Sequence, residues 1–164
     1  MENEPKMESS TEIENRIEKY QKKWKEKIIE IGKAGVCKSE KKVKELLNKM
    51  LKELYDFQNS VNPKILFKPT KASEHPYRIT KNQTISYFIG GKYFEDKGFA
   101  LNPWKDVHFG EYYFMQQPNQ VFVMGEYTFT DYQESKTIVD YTFGYRKDGA
   151  SLKIFLHHSS LRYE

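Results

Sequence analysis

The stretch VFVMGEYTFTDYQESKTIVDYTFGYRKDGASLKIFLHHSS, Val121 to Ser160, decides the fold class. Val121–Thr130 and Thr137–Arg146 alternate apolar with polar residues and are rich in β-branched and aromatic side chains, as half-buried strands are. Asp131–Lys136 and Lys147-Asp148-Gly149 are the polar segments that turn one strand into the next. Leu152–Ser160 reads as the final strand, apolar until its last four residues. Strands joined by such short turns pair antiparallel, so this third of the chain predicts a meander.

Upstream, Val107–Phe114 has the same alternation. Lys64–Lys68 is a short apolar run broken by Pro69, and Ile79 and Thr84–Ile89 read as further strand, closed by Gly90-Gly91. The N-terminal third differs. Ile13, Ile17, Tyr20, Trp24, Ile28 and Ile31 recur at steps of three and four, which places them on one face of a long helix. Thr11 with Glu14 predicts a capping box at its start, and Gly35 its stop. Ser39 caps a second helix whose apolar set is Val43, Leu46, Leu47, Met50, Leu51, Leu54 and Phe57. A seam shorter than three heptads and rich in aromatics favours packing on a sheet over a coiled coil. The reading is therefore α+β: a long helix and a second helix packed on a curved antiparallel sheet, with a cavity between the layers. Residues 1–10 are expected to be a disordered tail and residues 11–164 a single domain.

Composition narrows the partners. The net charge is +4 over 164 residues, but much of the lysine lies in the first 53, interleaved with glutamate. That is a solvated helix face rather than a nucleic-acid surface. The single cysteine, Cys37, excludes an internal disulfide and a Cys-rich zinc site. No apolar run approaches the ~20 residues that span a bilayer, so no membrane association is expected. MENEPKMESSTE is acidic and polar, unlike a secretory or transit peptide. A cytoplasmic protein is expected, with an organelle open if the chain is an excised domain.

The candidate chemistry gathers at LKIFLHHSS, Leu152 to Ser160. Neighbouring strand residues face opposite ways, so His157 and His158 do not converge on one metal. His157 shares a direction with Ser159, and His158 with Ser160. Leu152, Ile154 and Leu156 make the even face the more apolar one, which predicts that His158 and Ser160 point into the cavity. The alternative is a histidine that only hydrogen-bonds at a strand end. His75 and His108 lack the helical spacing of zinc proteases, and no G-x-G-x-x-G, Walker or G-x-S-x-G pattern occurs. Asp96, Asp106, Glu126 and Asp140 are available carboxylates, but no spacing singles out a pair. Tyr87, between Ile85 and Ile89 on one strand face, is either backbone-bonded or a polar handle in a pocket. Residue chemistry alone reaches a pocketed α+β domain and no reaction.

Four stretches carry more. LFKPTKA (66–72), SYFIGG with EDKGFALNPW (86–91 and 95–104), VDYTFGYRKDG (139–149) and HHSSL (157–161) resemble the iota-class carbonic anhydrases, in order, from about residue 13 to the end. Arg162 stands where that family commonly has proline. The resemblance implies a cystatin-like roll of the nuclear transport factor 2-like superfamily, which also includes the association domain of calcium/calmodulin-dependent kinase II. It implies reversible hydration of carbon dioxide to bicarbonate, without a metal in some members and with manganese or zinc connected to others. A cofactor-free site is the expectation here. By the same resemblance Thr70, Tyr87 and the His157, His158, Ser159 and Ser160 element surround bicarbonate or a reactive water. The chemistry of deprotonating that water then gives the expected roles: Tyr87 central, Thr70 and Ser160 orienting the reactants and His158 assisting proton exchange. A homodimer is implied. The competing readings are a non-catalytic association or small-ligand-binding domain of the same fold, or a cyclase acting on a bulky substrate.

Overall fold

The computed structural model describes residues 7–164. Two helices come first, α1 (Ser10–Val36) and α2 (Glu40–Leu54), followed by strand β1 (Leu66–Lys68) and a third helix, α3 (Lys81–Ile89). A 3₁₀ turn at Phe99–Leu101 leads into β2 (Trp104–Gln116), β3 (Gln120–Asp131), β4 (Lys136–Asp148) and β5 (Ser151–Ser160). The sheet order is β1-β5-β4-β3-β2. The hairpins are antiparallel as the alternation requires, but β1 runs parallel to β5, so the sheet is mixed rather than purely antiparallel.

The α1 stripe is buried as its spacing predicts, with Ile13, Ile17, Trp24, Ile28 and Ile31 all within the core. Each contributes roughly 1.5–3 kcal/mol by leaving water. The helix starts two residues earlier than Thr11 suggests. Ser9 and Glu12 form the capping box, and Ser10 is already helical. Glu8 is held by Arg16 at 2.8 Å, so the expected ten-residue tail does not describe residues 8–10, and its first six residues lie outside the described ones. Arg16 also donates to the carbonyls of Gly149 and Ser151, tying α1 to the last hairpin. Near the far end of α1, a Cβ on Gly32 would come within 3.2 Å of the Ala100 carbonyl and 3.3 Å of Pro103 Cα. Glycine lets helix and loop approach this closely without either having to give way by a few tenths of an ångström.

The largest departure from the sequence reading is α3. Thr84–Ile89 is not a strand: its β-branched and aromatic residues mimic one, but Thr80 and Gln83 form a complete capping box that starts a helix at Lys81. Thr84, Tyr87 and Phe88 are buried at helical spacing, and Gly90 closes the helix at φ +80°. Curvature of the sheet comes from irregularities in pairing, between Phe109 and Tyr112 on β2 and between Gly144 and Tyr145 on β4.

Candidate active site

The second of these irregularities determines which residues face the cavity. Gly144 pairs with Leu156, while Tyr145 pairs with Ile154, so Phe155 is an extra residue on β5. Alternation therefore resets within the strand. Leu152 and Ile154 are buried on one side of the bulge, and His157 and Ser159 on the other. His158 is exposed and Ser160 half-buried. The expectation that His158 and Ser160 enter the cavity is reversed, because it carried the parity of Leu152 and Ile154 through a position where parity changes. Gly144, alone in the middle of a strand, was the available signal.

His157 is 2% exposed and sits between the stacked ring of Phe67 (4.6 Å, 19°) and the edge-on ring of Phe143 (4.5 Å, 67°). Its Nδ1 lies 3.0 Å from the Tyr55 hydroxyl, which receives the Trp24 indole N–H at 3.0 Å. Its Nε2 lies 3.0 Å from Ser159 Oγ and 3.2 Å from the Tyr127 hydroxyl. The Tyr127 and Ser159 hydroxyls are hydrogen-bonded to each other. Tyr127 comes from β3 beside Val123 and Phe129 on its inner side; the sequence marked it only as part of a strand, and Tyr55 only as lying near the end of a helix.

Tyr87 and Thr70 complete the site from the opposite side. The Lys71 N–H donates to the Tyr87 hydroxyl at 3.4 Å, leaving the phenol proton for another acceptor. Trp24, Phe67, Pro69, Phe88 and Phe99 wall a small cavity onto which Thr70, Tyr87, Tyr127, His157 and Ser159 converge. It leaves about 10 Å³ for the centre of a water-sized sphere, room for about one water. The Tyr87 ring stacks on Phe99 (5.5 Å, 15°), and both also border an outer cleft of about 480 Å³ lined by Lys71, Lys97 and Asn102. Two other clefts of about 350 Å³ lie near Gly35 and near Arg146, the second lined by the Asp56–Arg146 ion pair.

A second layer fixes the loop that carries Thr70. Arg78 and Asp96, both with fully buried side chains, form a bidentate pair at 2.7 Å. Asp96 also receives the Ser86 hydroxyl at 2.5 Å, one residue before Tyr87. Glu95 accepts the backbone N–H groups of Ser73, Glu74 and His75. The segment after Thr70 is thereby fastened to α3 and its following loop.

Burial sets the charge state of the site. It pulls the His157 pKa from 6.5 down to about 3, with a smaller push from His158, so the imidazole is neutral near pH 7. Burial likewise raises the phenols of Tyr55, Tyr87 and Tyr127, so all three stay protonated. Among the described residues, no group of three or more His, Cys, Asp or Glu side chains gathers where a metal could be held. No helix among them is long and apolar enough to cross a membrane.

Residues 15–161 match the profile of metal-independent carbonic anhydrase. The chain belongs to that family. A protein of Nostoc sp. named metal-independent carbonic anhydrase is 37% identical over 155 residues, 92% of this chain and 74% of that one. The crystal structure of a cyanobacterial iota-carbonic anhydrase complexed with bicarbonate superposes with a TM-score of 0.82 at 34% identity, covering 92% of this chain and 93% of that one. A more distant neighbour confirms the fold alone: a protein from Xanthomonas campestris described as a calcium/calmodulin dependent protein kinase II association domain (TM-score 0.56, 19% identity, 96% and 91% covered). So does a member of the nuclear transport factor 2-like family from Streptomyces avermitilis (TM-score 0.53, 8% identity, 96% and 100% covered). The α+β roll expected from the sequence is thus the observed fold, and the family's metal independence agrees with the cofactor-free expectation.

Proposed function

We propose that this chain catalyses the reversible hydration of carbon dioxide to bicarbonate, with Thr70, Tyr87, Tyr127, His157 and Ser159 as its site. The observation that carries the reading is the convergence of hydroxyl donors on one water-sized cavity between aromatic walls. Carbon dioxide, uncharged and poorly hydrated, suits walls such as Phe67, Phe88 and Phe99. The hydroxyls suit the oxygens of bicarbonate. Admitting carbon dioxide beside a water needs more room, and the Tyr87–Phe99 partition between cavity and outer cleft is the element that yields.

The charge states argue against a side-chain base. His157 is too weakly basic, and the phenols are held away from ionisation. The chemistry proposed is instead a neutral relay. The water oxygen bonds to carbon while a water proton passes to Ser159 Oγ. The serine proton moves to the Tyr127 oxygen along their hydrogen bond, and the Tyr127 proton moves to a carbon dioxide oxygen. Tyr87 and Thr70 donate to the oxygens that gain electron density as the C=O bond order falls. The product is carbonic acid, which ionises as it leaves and gives its proton to solvent. Bicarbonate leaves through the outer cleft, past Lys71 and Lys97. His158 and Ser160 have no part in this scheme.

Stopped-flow hydration of carbon dioxide, run with and without chelator beside elemental analysis, tests the reading. Activity unchanged by chelation is expected. A rate no higher than buffer alone, or activity lost to chelation and restored by one metal, would overturn it. We also infer a homodimer through the outer sheet face, where Tyr113, Met115 and Met124 are exposed beside one another, and a cytoplasmic location; light scattering and cell fractionation test these.

A further inference from the structure

The relay leaves open what His157 does, since a neutral imidazole can either donate or accept at Nε2. The answer lies on the far side of the ring. Trp24 is buried, and an indole N–H donates but never accepts. It points at the Tyr55 oxygen. Tyr55 is fully buried and has one proton of its own, which cannot go back to the indole. Its remaining partner is His157 Nδ1, 3.0 Å away. The Tyr55 proton therefore points at Nδ1, and Nδ1 must be the unprotonated nitrogen.

We propose that Trp24 and Tyr55 are positioning residues that hold His157 in its Nε2–H tautomer, so that the ring donates to the Ser159–Tyr127 hydroxyl pair rather than accepting from it. This rests on the functional reading for its consequence, but not for its geometry. The opposite tautomer would aim two N–H groups at the Tyr55 oxygen and leave its proton without an acceptor, amid the rings of Phe57, Phe67 and Phe88. The tautomer proposed satisfies both ends, because Ser159 Oγ and Tyr127 Oη are both within reach of Nε2. Among the described residues His157 hydrogen-bonds only to hydroxyls: Tyr55 after α2, Tyr127 on β3 and Ser159 on β5. The elements packed against it otherwise present aromatic rings, Trp24, Phe67 and Phe143.

The direction matters for chemistry. A histidine that accepts from serine makes the serine a nucleophile. A histidine that donates to it occupies a serine lone pair and strengthens the serine as a donor, which suits binding and proton relay to bicarbonate oxygens. The Trp24–Tyr55 chain thus selects the second behaviour from a His/Ser pair capable of either.

Nitrogen NMR of the full chain, labelled in histidine and with His157 assigned by its disappearance in His157→Gln, tests the tautomer directly. Nδ1 unprotonated and Nε2 protonated are expected; a protonated Nδ1 overturns the proposal. Tyr55→Phe should give a mixture of tautomers and reduce kcat/KM for bicarbonate dehydration about tenfold, the equivalent of one lost orienting hydrogen bond. An unchanged tautomer and rate in that variant would also overturn it. Should Tyr55→Phe not fold, Trp24→Phe carries the same readouts, since it frees the Tyr55 proton to turn. A correct tautomer in a protein with no hydration activity would support the positioning role while refuting the functional reading.

Discussion

Removing His157 should make the protein less sensitive to acid. The imidazole titrates near pH 6.5 in the unfolded chain but near 3 in the folded one. Between those values the unfolded state binds a proton that the folded state refuses. Stability therefore rises with pH across this window: the contribution is complete above about pH 6.5 and lost as pH falls toward 3. The full loss is about 5 kcal/mol for a shift of this size at 1.36 kcal/mol per unit, and about 2 kcal/mol of it occurs between pH 8 and pH 5. The burial behind the shift is complete, so solvent screening does not reduce it. Urea denaturation of wild type and His157→Gln at pH 8 and pH 5 reads the difference. The variant is expected to start less stable at pH 8, having lost part of the hydroxyl network, yet to lose about 2 kcal/mol less on going to pH 5. Every other ionisable group is common to both proteins, so its contribution cancels in the comparison. Equal losses, within about 0.5 kcal/mol, would refute the claim that His157 is held neutral by burial.

The bulge turns His157 and Ser159 inward, so the proposed relay predicts that substitutions at those positions matter and their neighbours' do not. Ser159→Ala should lower kcat/KM by about 10²–10³, the usual effect of removing a donor to developing charge, whereas Ser160→Ala and His158→Ala should stay within about twofold of wild type. Full activity in a folded Tyr87→Phe would remove Tyr87 from the site. Gly144→Val should destabilise by about 1–3 kcal/mol in thermal unfolding, since a Cβ there would lie 2.9 Å from Leu156 Cβ and 3.0 Å from the Phe155 ring. Asp96→Asn leaves buried Arg78 with only the longer Glu95 contact, at 3.8 Å, as countercharge; a loss of up to about 3–5 kcal/mol is expected by denaturant titration, with the Thr70 loop loosened.

The parts of this fold that were legible from sequence are those where one periodicity runs unbroken. The α1 stripe and the strands β3 and β4 each keep a single period over ten or more residues, so their buried faces follow from counting. The reading failed where two signals competed. In Thr84–Ile89 the residue types favour strand while the Thr80/Gln83 box favours helix, and the box prevails because it satisfies backbone donors that a strand end would leave open. At Phe155 a single inserted residue moved the whole chemical face without altering the strand assignment. Tyr127 and Tyr55 were hidden for another reason. Nothing distinguishes a tyrosine with a catalytic hydroxyl from one of the eleven others in the chain until the chain is folded.

The same bulge explains how a site can occupy the core. It turns His157 and Ser159 inward, where unbroken alternation from Leu152 and Ile154 would have placed Leu156, His158 and Ser160. Burying a histidine, a serine and two tyrosines is costly unless each finds a partner. Here they find one another, and the only buried side-chain nitrogen or oxygen without a partner among the described residues is Arg16 Nε, away from the cavity. A network already satisfied in the absence of substrate has a consequence for binding. Bicarbonate finds most of these donors already engaged within the network, so it gains little net hydrogen bonding on entering. Weak ground-state binding of this kind favours a reversible catalyst, because interactions that strengthen only as charge develops lower the barrier without trapping the product.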